Sequence, residues 1–102
     1  MAKTVMIQAD KARNLKYGIN QMVELEELLG KPVTNVDMEN FSMKDLRTMF
    51  YVALKWEDKK LTHETAGDIM DSVIENEGIE SLSASIGKAM ELAFNKVVPP
   101  SK

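Results

Sequence analysis

Four acids stand at a spacing that could do chemistry: Glu64, Asp68, Asp71 and Glu75, separated by four, three and four positions. On a helix that spacing lines the side chains along one face. Such a row could meet a basic partner or hold a cation loosely. Calcium sites need oxygens that converge from a folded loop, and no stretch here has EF-hand spacing. The row therefore reads as a solvated acidic face, one that would repel DNA. His63 is the single histidine, which excludes a histidine-based catalytic or metal cluster; beside Thr62 and Glu64 it reads as part of a helix cap. Glu26 falls within an apolar helical face, where an unpaired charge is costly. A partner ion is expected for it, from Arg13, Lys16 or Lys31. No second acid lies beside Glu26 by spacing, so paired-carboxylate catalysis gains no support.

The rest of the chemical inventory is thin. There are no cysteines, so disulfides, thiolate metal sites and cysteine nucleophiles are excluded. No glycine-rich phosphate loop or serine elbow occurs. The expectation is a non-enzymatic chain with no catalytic, cofactor-binding or metal-ligating residues. Candidate partner-binding residues are Tyr51, Val52, Lys55 and Trp56, because aromatic side chains often anchor interfaces. A buried Trp56 closing one end of the core is an equally good reading. Of the eight methionines, Met22, Met49, Met70 and Met90 lie on or beside expected core faces and read as adaptable filler.

The elements that must carry these residues are mostly helical. Thr4–Gln8 and Arg13–Tyr17 read as the strands of a β-hairpin, with Ala9–Ala12 as its turn. An isolated hairpin is marginal, so it should pack on the helices. A first helix spans Ile19–Leu29, stopped by Gly30 with Pro32 beyond, and places Ile19, Met22, Val23, Leu25 and Leu29 on one face with Leu28 outward. Residues 31–41 read as a connector. Three helices follow, opening at Ser42, Thr62 and about Ser81, and stopping near Trp56, at Gly78 and before Pro99. In the second helix Met43, Leu46, Met49, Phe50, Ala53, Leu54 and Trp56 form an apolar arc too wide for a single neighbour. Lys44, Arg47, Thr48 and Lys55 make its polar stripe, with Tyr51 inside. The third helix buries Ala66, Ile69, Met70, Val73 and Ile74. The fourth presents Leu82, Ile86, Ala89, Met90, Ala93, Phe94 and Val97.

The expected fold is mainly α (α+β), a short N-terminal hairpin packed on about four helices. Residues 1–98 form one domain (1–17 hairpin, 18–98 helices) and 99–102 a disordered tail. With 102 residues, 44% hydrophobic and 28% charged, the chain can bury roughly two-thirds of its unfolded surface. Apolar runs are far too short to cross a bilayer, and the first residues meet Asp10 and Lys11 too early for a signal peptide. The net charge of −3 is spread along the chain. No basic stripe of the kind nucleic-acid binders use is present.

Several stretches carry a resemblance. They are Leu15-Lys16-Tyr17-Gly18-Ile19-Asn20, Leu25-Glu26 with Leu28 and Gly30-Lys31, Asp45-Leu46-Arg47, and Phe50-Tyr51-Val52-Ala53-Leu54. Leu61-Thr62, Ala66-Gly67-Asp68-Ile69-Met70-Asp71, Gly78-Ile79, Leu82, Ile86-Gly87 and Ala89 complete the set. Over about residues 13–94 this pattern resembles the tail assembly chaperones of long-tailed bacteriophages and their relatives in gene-transfer-agent clusters. The resemblance implies a binding protein of the bacterial host cytoplasm, absent from the mature virion. Such a protein keeps the tape-measure protein soluble and assists tail-tube polymerisation; its partners would be the tape-measure and tail-tube proteins, while the outward Leu28 and the Tyr51/Val52 side of the second helix, read from the residues alone, are candidate homo-oligomer surfaces. The resemblance implies no cofactor, nucleic acid or membrane, and brings no catalytic residues. The rivals are a small helix-turn-helix regulator, which would need a basic recognition helix, and a structural adaptor retained in the virion.

Overall fold

The computed structural model describes residues 4–35 and 42–95. The chain runs β1 (Thr4–Gln8), β2 (Ala12–Lys16), α1 (Ile19–Leu29), one tight helical turn (Val33–Asn35), α2 (Met43–Lys55), α3 (His63–Glu77) and α4 (Ile79–Asn95). The expected α+β architecture is what the structure has. β1 and β2 pair antiparallel, with Thr4 opposite Lys16 and Gln8 opposite Ala12. The second strand starts one residue earlier than expected and leaves Tyr17 just beyond it. Ile7, Leu15 and Tyr17 are buried, so one face of the hairpin closes the core.

Local chemistry sets the helix ends. Gly18 opens α1, its N–H donating to the Gln21 side chain at 2.7 Å. Gly30 ends it with φ 75°, a left-handed conformation that glycine adopts without steric cost. Ser42 Oγ accepts from Asp45 N at 3.0 Å, with the Asp45 charge in the first turn of α2. Thr62 and Thr65 cap α3 reciprocally: Thr62 Oγ1 accepts from Thr65 N and Thr65 Oγ1 from Thr62 N. Gly78 (φ 91°) both ends α3 and starts α4, donating to Ile74 O and accepting from Leu82 N. The fourth helix therefore opens at Ile79, not Ser81, whose hydroxyl donates to Glu77 instead. The expected features at Val97, the prolines and the tail 99–102 lie outside the described residues, as do 36–41 of the connector.

α2 sits at the centre. It packs on α1, α3, α4 and β2, which explains why Leu46, Thr48, Met49, Phe50, Val52, Ala53 and Leu54 are all buried. Thr48, expected in the polar stripe, donates its hydroxyl to Lys44 O at 3.0 Å and so enters the core satisfied. The hairpin lies across α4, which contacts both strands. Met22, Met49, Met70 and Met90 are buried, as filler should be.

Four expected core positions are corrected. Ile19 is 78% and Val23 50% exposed, because α1 meets the domain through Met22 and Leu25 and turns its first residues outward. Met43 is 60% exposed, one residue beyond the α2 cap and before the helix enters the core. Ile74 is also exposed. Glu26 is half-buried, and its partner is a backbone amide: Oε2 accepts from Val33 N at 3.0 Å. The three expected cations are engaged elsewhere, Arg13 with Asp10 and Asp58, Lys31 with Asp45, and Lys16 over the Trp56 ring.

Candidate functional site

The four proposed partner-binding residues do not form one surface. Val52 is fully buried and cannot touch a partner in this fold; that expectation is corrected by the number of elements packed on α2. Trp56 is half-buried and tied to the hairpin, its indole Nε1 donating to Asn14 O at 2.9 Å while Lys16 Nζ lies 5.0 Å above the ring. Glu57 Oε1 accepts from Asn14 N at 2.9 Å. Both backbone groups of Asn14 are thus held by consecutive side chains at the end of α2. Trp56 serves as a fastener between hairpin and bundle.

Tyr51 and Lys55 do come together, one turn apart on α2. Lys55 Nζ lies 5.4 Å from the Tyr51 ring centroid and bonds Glu24 of α1 at 2.8 Å. That hydrogen bond raises the Lys55 pKa above its ordinary value, with Tyr51 adding to it. The Tyr51 ring also stacks on the His63 imidazole, centroids 4.1 Å apart and planes inclined by 24°. His63 was legible as a cap residue but not as the neighbour of Tyr51. The turn at residues 57–60 that folds α3 back along α2 makes this contact.

Glu64, Asp68, Asp71 and Glu75 are all exposed along α3, and none is in an ion pair among the described residues. No group of three His, Cys, Asp or Glu side chains converges on a metal-sized space among the described residues. Asp71 alone has a further role, at the rim of a groove between α2 and α3.

That groove, of about 480 Å³, is lined by Met43, Lys44, Arg47, Gly67, Met70, Asp71 and Ile74. Met43, Met70 and Ile74 give it apolar walls, and two cations stand on its α2 side. The Arg47 stem crosses Gly67 closely; a Cβ there would sit 3.3 Å from Arg47 Cδ. Arg47 Nε is buried with no hydrogen-bond partner among the described residues. Sequence reasoning missed the groove because Met43 and Ile74 fit the core period of their helices. The exposed edge of a helix–helix contact carries the same period as its buried centre. Apolar walls beside an unsatisfied guanidinium suit a helix that brings hydrophobic side chains and a carboxylate. No helix among the described residues is long and apolar enough to cross a membrane. No family model, curated protein or solved structure matches the chain.

Proposed function

We propose that this chain is a tail assembly chaperone of a long-tailed bacteriophage. In this reading it is a non-enzymatic binding protein of the host cytoplasm that keeps the tape-measure protein soluble and assists tail-tube polymerisation. One observation carries the reading: many of the residues behind the resemblance stand at the joints or in the core of this fold. Tyr17-Gly18 turns the hairpin into α1, Gly30 ends α1, Thr62 caps α3, and Gly78 divides α3 from α4. Leu46, Phe50, Ala53, Leu54, Ala66, Ile69, Met70, Leu82, Ile86 and Ala89 fill the core between them. A pattern made of joints and core is a pattern of shape, and that is what supports the reading.

Apart from Met43 at its start, the wide apolar arc of α2 is covered by the chain's own elements, so a client would be held by apolar side chains outside the covered part. A tape-measure protein is long and helical before the tube encloses it, and helix-on-helix packing is the natural contact. The net charge of −3 favours solubility of a loaded complex. Co-expression with the neighbouring tape-measure gene tests the reading. Solubility and co-purification of the tape-measure protein should rise with this chain present; no change in either would sink it. The regulator reading is disfavoured by the exposed acids of α3, and a low-salt gel shift on the adjacent promoter would revive it. Mass spectrometry of purified virions separates a chaperone from a retained adaptor.

A further inference from the structure

We propose that the α2–α3 groove receives the outer ridge of α1 from a second copy of this chain. The groove offers Met43, Met70 and Ile74 as apolar walls, with Lys44 and Arg47 opposed by the single acid Asp71. Among the described residues, Arg47 Nε is buried without a hydrogen-bond partner and Arg47 makes no ion pair. An unsatisfied donor of this kind is costly. The fitting occupant therefore brings apolar side chains with a carboxylate beside them. The ridge Ile19–Val23–Glu27 has that composition at steps of four residues, one helical turn each. Ile19 and Val23 are 78% and 50% exposed, and Glu27 is exposed beside them.

Two apolar anchors one turn apart are the usual way a helix fills a groove. Glu27, a further turn along, would then stand against Lys44 and Arg47. A turn of the Arg47 side chain toward that carboxylate would give Nε its acceptor. Two chains of net charge −3 repel one another at long range, so this local pairing of opposite charges is what would set the register. The ridge and the groove are different surfaces, so copies join either reciprocally in pairs or head to tail. One helix ridge is a small interface, and the association it supports is weak and concentration-dependent.

Sedimentation velocity from micromolar to millimolar concentration tests the proposal on the chain alone, without any client. Reversible association is expected, weakened roughly tenfold or more, the equivalent of about 1.4 kcal/mol, by Arg47→Glu and by Glu27→Arg. Mixing the two variants should restore it, because each then meets its complement. Circular dichroism establishes that the variants fold, and Lys44→Glu serves if Arg47→Glu does not. A chain that stays monomeric to millimolar concentration overturns the proposal, whether or not it binds a client. So does association that ignores both charge reversals, or variants that fail to complement each other.

Discussion

The Tyr17 hydroxyl donates to the backbone carbonyl of Met49 at 2.6 Å, inside the core and across 32 positions of chain. It fastens the start of the helical region to the middle of α2. Met49 O lies within a helix and keeps its main-chain partner, so loss of the phenol removes a bond without orphaning the carbonyl. Tyr17→Phe should therefore cost about 1 kcal/mol. Thermal unfolding should shift down by roughly 4–8 °C. An unchanged midpoint would mean that the bond contributes nothing.

Burial also pushes the Tyr17 hydroxyl far above its ordinary pKa. An acid whose folded pKa is raised keeps its full contribution below the unfolded value of about 10 and loses it as pH climbs beyond. The wild-type chain should lose stability above that pH more steeply than Tyr17→Phe. In the difference between their phenolate absorbance titrations, the Tyr17 signal should appear only together with unfolding. Ionisation of Tyr17 in a chain with intact circular dichroism would contradict the burial.

Arg13 joins the hairpin turn to the α2–α3 loop, contacting Asp10 at 2.8 Å and Asp58 at 3.3 Å while 6% exposed. Its hydrogen bond holds the Asp10 carboxyl below the usual range. A depressed folded pKa gives stability that is present above the unfolded value of about 3.9 and is lost as pH falls through it and below. Arg13→Met should flatten stability against pH in the acid limb and cost about 1–3 kcal/mol at neutral pH. Urea midpoints at several pH values read both effects. An acid limb as steep as in the wild type would rule the pairing out as its source.

Gly67 sits within α3, where alanine is favoured over glycine by about 1 kcal/mol. The added Cβ would meet only the Arg47 stem at 3.3 Å, and a flexible side chain can move a few tenths of an ångström. Gly67→Ala should therefore stabilise the chain by up to about 1 kcal/mol, read as a higher urea midpoint. A clear loss would show that the Arg47 stem is fixed in place.

Trp56 is the sole tryptophan and holds the hairpin through Asn14 O, so its fluorescence should report hairpin docking. Asn14→Pro would remove the N–H that Glu57 accepts and should red-shift the emission while most helical circular dichroism remains. Emission that moves only with global unfolding would show that hairpin and bundle separate together.

Much of this fold is legible because it is written locally. Ser42, Thr62, Gly30 and Gly78 act at the helix ends within four residues of their partners, and the hairpin follows from two short runs around one turn. The misreadings, apart from a start shifted by a residue or two in β2 and α4 and Thr48 turned into the core, concern relations between distant positions. Periodicity places Ile19 and Val23 on the same side as Met22 and Leu25, but it does not say how wide a strip of α1 the domain covers. It leaves Val52 outward because it cannot count the four elements around α2. Arg13–Asp58, Trp56–Asn14 and Tyr51–His63 join residues brought near by tertiary folding alone. The α2–α3 groove was hidden for the same reason.

The way the hairpin is fastened has a consequence for synthesis. β1 and β2 rest on α4, whose residues 79–95 leave the ribosome long after the strands do. At about 5–20 residues per second, Ile7, Leu15 and Tyr17 spend several seconds without that helix to cover them. Slowing translation across residues 43–95 would lengthen that interval, and a nascent-chain chaperone would find its target in the first seventeen residues.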